Sequence, residues 1–256
     1  MKPFLSIITA TFNNEKTLEE TINSILNQKY TDFEYIIVDG KSTDNTTAII
    51  KKYEPIFKQK NISFKWISEI DTGIYNAWNK GLKIATGNWI SFLGSDDVYL
   101  DNALDKYVKK IIEEKNADFV YSKVKLINNN KEVIYIVSDT WKWNQFKRYM
   151  KIAHVGAFHN RKYFDTYGIF DESYKISGDY ELLLRAKSCL KTTFINEFTA
   201  EMKDGGVSNK NVFKAFKEVK KAKINTAGIS TIVAFFDFYF SLFKYYLSTF
   251  VKKLIK

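Results

Sequence analysis

Adjacent carboxylates, Asp96-Asp97, follow the apolar run Trp89 to Leu93. Acids at a strand end suit a hard divalent ion, Mg²⁺ or Mn²⁺, which takes oxygen ligands and shares them with a phosphate. Taken alone, the pair is explained as simply by a cap on the helix that starts near Tyr99. Asp39 ends a second apolar run, Glu34 to Val38, where a carboxylate can accept from a ligand N–H or a ribose hydroxyl. Asp-Gly is also a common turn pair. Asp179 opens the helical segment Ser177 to Lys187 and would be a general base if it faced the same edge as the other acids. An acid there is equally explained by the positive end of a helix dipole. His154 is a candidate phosphate or acceptor contact, and a hydrogen-bonded strand histidine describes it equally well.

These residues need elements to bring them together. Apolar runs of strand length occur at Phe4 to Ala10, Glu34 to Val38, Ser63 to Ile67 and Trp89 to Leu93. Between and after them, Leu18 to Leu26, Thr46 to Phe57, Ile74 to Ala85 and Leu104 to Ile112 carry apolar residues at helical spacing. Strand and helix in alternation predict an α/β chain with a mostly parallel central sheet and helices on both faces. In such sheets ligands lie beyond the carboxyl ends of the strands. Thr9 and Thr11, Asp39, Glu69 and Asp71, and Asp96 and Asp97 all fall at that edge. Further on the pattern is mixed. A hairpin is predicted over Lys123 to Val137, a short helix over Trp141 to Met150, and one or two strands over Thr193 to Met202.

Several classes are excluded. Gly40-Lys41-Ser42 imitates the end of an ATP phosphate loop, but Tyr35 stands where that loop needs a glycine. No G-x-G-x-x-G follows a strand, so a dinucleotide fold has no support. Cys189 is the only cysteine, which removes a disulfide framework and fits a reducing, cytoplasmic setting. Within 256 residues the net charge is +10, but ten lysines against Glu218 and Asp237 put most of it between Asn209 and Lys256. A near-neutral body with acids on three of four strand ends argues against nucleic acid as a partner.

Five ordered segments carry a resemblance: Ser6 to Asn13 (SIITATFN), Ile36 to Asp44 (IIVDGKSTD), Ser68 to Gly81 (SEIDTGIYNAWNKG), Gly87 to Asp97 (GNWISFLGSDD) and Ile176 to Arg185 (ISGDYELLLR). Together they resemble the family 2 glycosyltransferases, which have the GT-A fold, over about residues 3 to 210. The resemblance implies a catalytic domain over 1–210, with a nucleotide-sugar half over about 1–97 and an acceptor half over about 98–210. It implies that Thr9, Thr11 and Asn13 line the nucleotide pocket and that Asp39 holds the base, uracil. Asp71 and Gly73 would border the ribose and sugar, Lys80 would face the diphosphate, and Asp96 would contact ribose or donor sugar. Asp97 would ligate the metal and Asp179 would be the catalytic base of a single, inverting displacement. The loop Gly205 to Ser208 would close over the diphosphate. Two positions depart from the family pattern: Gly178 stands where Glu is common, and Asn76 where Asp is common.

The tail, 211–256, reads as two helices. Val212, Ala215, Phe216 and Val219 form an apolar face among lysines, and Ile229 to Val251 is almost wholly apolar. Asp237, Ser241, Lys244, Ser248 and Lys252 share one narrow polar stripe. Asp237 and Lys244 interrupt the run, so it falls short of a spanning helix. A helix lying in the bilayer interface is predicted, with its lysines near anionic headgroups. Packing against the catalytic domain, or a homodimer through these helices, is the other reading. The functional expectation is a peripheral enzyme on the inner face of the cell membrane, transferring sugar from a UDP-sugar to a lipid-linked saccharide in surface polysaccharide assembly. A nucleotidyltransferase or a non-enzymatic basic membrane-binding module are the alternatives.

Overall fold

The computed structural model of the chain describes residues 2–206 and 211–254. The first half alternates as expected: β1 (Leu5–Thr11), α1 (Leu18–Leu26), β2 (Phe33–Asp39), α2 (Thr46–Gln59), β3 (Ser63–Ser68), α3 (Ile74–Ile84) and β4 (Trp89–Gly94). These four strands lie parallel in the order β3-β2-β1-β4. Registers Thr11 with Asp39, Asp39 with Ser68, and Ala10 with Gly94 align their carboxyl ends on one edge.

β1 shows why the apolar runs are continuous. Leu5 and Ile7 pack into a core shared with α1, α2 and α4 (Ala103–Glu113), whereas Ile8 packs into a second core with α3. Both faces are covered, so neither can be polar.

The second half closes the sheet. After β5 (Val98–Tyr99) and α4 come β6 (Phe119–Ile127), β7 (Val133–Val137), α5 (Trp143–Phe146), β8 (Ala157–Asn160), α6 (Arg161–Tyr167), α7 (Gly178–Leu184) and β9 (Thr192–Lys203). β4 pairs antiparallel with β8, β8 with β6, β6 parallel with β9, and β9 antiparallel with β5. β7 pairs with β6 as the predicted hairpin. The sheet therefore curls until the chain just after Asp97 lies against the end of β9. The result is an α/β sheet of the GT-A kind, with C-terminal helices. The predicted helices over 141–150 and 177–187 are shorter than expected, at Trp143–Phe146 and Gly178–Leu184.

The expected domain boundary at 210 falls outside the described residues. Past it, α8 (Val212–Asn225) packs on α7, and α9 (Thr231–Leu254) packs on α8. The expected apolar face of α8 is only half-buried, while Glu218, Ala222 and Lys223 are its buried residues. The polar stripe of α9 is corrected too. Asp237 is buried, accepts from Lys223 Nζ at 3.1 Å, and is gripped by the fork of Arg148. The start of that stripe thus faces the protein, where its carboxylate meets two cations. Phe236, Tyr239, Phe240, Phe243 and Tyr246 are exposed. Among the described residues no helix is long and apolar enough to cross a membrane.

Candidate functional site

A cavity of about 370 Å³ opens at the carboxyl edge of β1 and β4. One wall comes from the parallel half: Ala10, Asn14, Phe92, Gly94, Asp96 and Asp97. The rest of the lining comes from α3, the turn before β8, the loop leading into α7, α7 itself and β9, through Tyr75, Trp78, His154, Lys175, Asp179 and Met202.

Asp97 is buried, and its Oδ1 accepts from the backbone N–H of Lys203 at 3.0 Å. Burial, followed by the charge of Asp96, pushes its carboxyl up to about 7. A Cβ on Gly94 would stand 2.5 Å from Asp97 Oδ2 and 3.1 Å from Asp96 Oδ1. The two acids therefore lean over a space that only glycine leaves open. Among the described residues no three His, Cys, Asp or Glu side chains gather as a complete metal cage. A pair of adjacent carboxylates, Asp97 buried and Asp96 half-exposed, is nevertheless the donor set of a hard cation that completes its shell with phosphate oxygens. The residues fit such an ion.

Asp179 faces the same cavity. Its Oδ1 accepts from the N–H of Tyr180 at 2.8 Å and lies 3.3 Å from the Tyr75 hydroxyl. Burial raises its carboxyl to about 6. Gly178 is explained by the same ring, since a Cβ there would meet Tyr75 Cε2 at 2.8 Å. Asn76 is explained by Glu172, whose Oε2 accepts from Asn76 Nδ2 at 2.8 Å. An aspartate at that position would repel it.

His154 lines the cavity, stacked on Phe92 at 5.4 Å between ring centroids, and its Nε2 meets His159 Nε2 at 2.9 Å. Burial pushes His154 down to about 3, so the ring is neutral. Nδ1 of each histidine is buried without a hydrogen-bond partner.

The other expected residues cluster beside the cavity. Asp39 is fully buried and accepts from Ser42 N at 3.1 Å and Ser68 Oγ at 2.6 Å. It lies at the same edge, two strand spacings or about 10 Å from β4. Asp97 and Asp179 share the cavity; Asp39 adjoins it. Asn13, in the left-handed region at φ 49°, ties its N–H to Ser42 Oγ (2.8 Å) and its Oδ1 to Thr43 N (2.8 Å). Asp71 Oδ1 accepts from Gly73 N at 2.9 Å. Its Oδ2 crowds Gly40, where a Cβ would come within 2.5 Å. Thr11 is buried with its hydroxyl unpartnered.

Two expectations are corrected. The hydroxyl of Thr9 accepts from Tyr35 at 3.1 Å inside the core, so its side chain does not line the nucleotide pocket. Strand alternation puts Thr9 on the face of Leu5 and Ile7, opposite to Ala10. Lys80 Nζ donates to Ile70 O at 2.7 Å and pairs with Glu69 at 3.0 Å. It braces the β3–α3 loop and does not line the cavity.

Three lining residues were not assigned from sequence. Asn14 Nδ2 donates to Ser95 Oγ at 2.6 Å, locking the β1–α1 loop to the acid pair. Lys175 Nζ donates to Thr72 O at 2.8 Å, tying the loop before α7 to the turn that opens α3. Tyr75 lies within a quoted motif, but nothing local marks its hydroxyl as a partner of Asp179.

This geometry has relatives. The family model for Glycosyl transferase family 2 matches residues 6–174. A PGL/p-HBAD biosynthesis glycosyltransferase of Mycobacterium bovis is 31% identical over 244 residues, covering 90% of this chain and 89% of that protein. The Escherichia coli enzyme UDP-Glc:alpha-D-GlcNAc-diphosphoundecaprenol beta-1,3-glucosyltransferase WfgD is 33% identical over 126 residues, covering 49% of this chain and 47% of that one. Among solved structures, S. aureus TarS 1-349 in complex with UDP-GlcNAc superposes with a TM-score of 0.66 at 20% identity, covering 90% of this chain and 69% of that one. The chain spans 41% of the longer TarS structure. The mannosyltransferase PcManGT from Pyrobaculum calidifontis, in complex with GDP-Man and Mn2+, gives a TM-score of 0.61 at 16% identity, covering 86% and 65%. With a family model matched from β1 to the approach of α7, and a relative matched along nearly its whole length, the chain belongs to glycosyl transferase family 2.

Proposed function

We propose that the protein is an inverting glycosyltransferase that moves a sugar from a UDP-sugar to a hydroxyl of a lipid-linked saccharide. The observation that carries this is that Asp97 and Asp179, far apart in sequence, line one cavity beside the strand edge that bears Asp39. The names of WfgD and of the TarS complex support a UDP-sugar donor, and that of WfgD supports a diphospholipid acceptor.

Asp39 would accept from the uracil N–H, while the stapled Asn13 and Ser42 loops hold the nucleoside; Thr11 and the Asp71–Gly73 turn border it. Asp96 and Asp97 would hold a divalent ion, Mn²⁺ or Mg²⁺, which supplies Lewis-acid neutralisation of the departing diphosphate. Asp179 accepts the proton of the acceptor hydroxyl as that oxygen bonds to the anomeric carbon. The bond from that carbon to the diphosphate oxygen breaks, and its electron pair leaves with UDP. Attack on the face opposite the leaving group inverts the configuration. Neutral His154, on the wall of Asp179, contacts the acceptor. Gly206 lines the cavity, and Val207 and Ser208 of the proposed closing loop lie outside the described residues. The exposed aromatic face of α9, with the lysines of the tail, would rest on an anionic membrane surface at the cytoplasmic side.

The test is a panel of UDP- and GDP-sugars with Mn²⁺, read by slow donor hydrolysis. One UDP-sugar should turn over, only with the metal. Hydrolysis of none, or equal turnover in a chelator, overturns the reading. Sedimentation with phosphatidylglycerol vesicles tests the tail; a soluble dimer that ignores vesicles would reject the membrane.

A further inference from the structure

α8 lies far along the chain from the acid pair, yet it reaches the site. Glu218 is one of its buried residues. Its carboxylate accepts from three successive backbone amides: Lys175 N at 3.0 and 3.1 Å, Ile176 N at 2.8 Å and Ser177 N at 3.0 Å. The Ser177 hydroxyl also donates to Ala215 O of the same helix at 3.3 Å. On the other side of this loop, Ile176 O accepts from the Tyr75 hydroxyl at 2.7 Å. The Tyr75 hydroxyl in turn lies 3.3 Å from Asp179 Oδ1. The loop is held from behind by Glu218 and from the cavity side by Tyr75, and α7 with Asp179 starts directly after it.

We propose that Glu218 is a positioning residue of the reaction: the tail helix, through this carboxylate, sets the loop from which Lys175 and Asp179 enter the cavity. The inference rests on the reading of Asp179 as the base. Oriented amides converging on one carboxylate form charge-assisted hydrogen bonds, which fix backbone more firmly than neutral ones. Among the described residues these three amides have no other acceptor, so removing the carboxylate frees the loop from one side only. Asp179 then loses its setting against the acceptor oxygen while the nucleotide end, built from β1, β2 and their loops, stays intact. A misplacement of about 1 Å costs on the order of 100-fold in rate.

The experiment uses the full chain and the Glu218→Ala and Glu218→Gln variants. UDP with Mn²⁺ is the binding probe, UDP-glucose and UDP-N-acetylglucosamine are the turnover probes, and amide hydrogen exchange reports on residues 175–180. Glu218→Ala should lower kcat about 100-fold, leave the Kd for UDP within about threefold, and speed exchange at 175–180 only. Glu218→Gln keeps one oxygen acceptor and should recover part of the rate. The proposal is overturned if exchange at 175–180 is unchanged in Glu218→Ala. It is equally overturned if kcat stays within about twofold of the parent, or if kcat and UDP affinity fall together, as a general loss of fold would give. Full turnover by Asp179→Asn would instead remove the base assignment, and the exchange result would still decide whether Glu218 holds the loop.

Discussion

The two walls of the cavity are built by opposite means. The Asp96–Asp97 wall is local: a buried strand ends at Gly94, and the acids follow within one turn. The Asp179 wall is assembled from afar, from α3, the turn before β8, the loop 175–177 and β9, with α8 behind it. Even Asp97 takes its backbone donor from Lys203, at the far end of β9. The local wall presents a like-charged pair suited to a cation. The distant wall presents one acid in an aromatic and apolar setting. On the proposed mechanism, metal binding thus sits where the chain can specify it locally, and proton transfer where the fold must hold it.

Separating the walls by mutation should give the largest effects. Asp179→Asn should lower kcat by about 10²- to 10⁴-fold, the range of a lost general base, with UDP affinity preserved. Asp97→Ala should abolish transfer and also erase the Mn²⁺ dependence of UDP binding. Calorimetry with UDP, with and without Mn²⁺, distinguishes the two. Loss of UDP binding in Asp179→Asn would break the division between the walls.

Glycines sharpen the comparison at an intermediate scale. Gly94→Ala places a methyl 2.5 Å from Asp97 Oδ2, so the acid must move. Transfer should drop on the order of 100-fold, and the apparent Kd for Mn²⁺ should rise. Gly206 also lines the cavity, but among the described residues nothing lies within 4 Å of a Cβ placed there. Gly206→Ala should change turnover less than about threefold. Equal losses in the two variants would show that the acid pair is not held as tightly as its packing implies.

The same asymmetry governs what the sequence discloses. The strands β1, β2 and β4 are legible because their apolar runs are buried on both faces, β3 as a half-buried edge strand through the short run Ser63 to Ile67, and α1 and α3 because their apolar residues recur at helical spacing. Asp97 and Asp179 are legible through motif and position. β5 has two residues and β8 four, too few to show any period, so the closure of the sheet is invisible. Thr9 was misplaced although alternation along β1 assigns its face. Lys80 was misplaced because its partners, Glu69 and Ile70, hold it away from where its charge alone suggests. Lys175, Tyr75 and Glu218 act through backbone groups or a hydroxyl on other elements, and no spacing encodes that. The polar stripe of α9 shows the same limit: helical geometry finds the stripe, but only Lys223 and Arg148 tell which way Asp237 points.

The smallest effect is on stability, and its sign follows from burial. Asp179 has a folded-state carboxyl at about 6, above the ordinary 3.8. Below the ordinary value it is neutral in both folded and unfolded chains and costs nothing. Between about pH 3.8 and 6 the unfolded chain ionises this acid while the folded chain, where it stands half-buried in the cavity lining, holds the proton, so stability is lost over that window. The full cost is about 3 kcal/mol as an upper bound. Asparagine removes the charge at similar volume, so Asp179→Asn should raise the melting temperature by several degrees at pH 8 and by almost nothing at pH 4. Activity in the parent must run the opposite way, with kcat/KM rising through about pH 6 as the base ionises. The reaction would then operate where this acid most weakens the fold, as expected of a group placed for proton transfer. A gain in melting temperature equal at both pH values would mean that the asparagine acts through packing, and the distant wall would lose its claim to a strained acid.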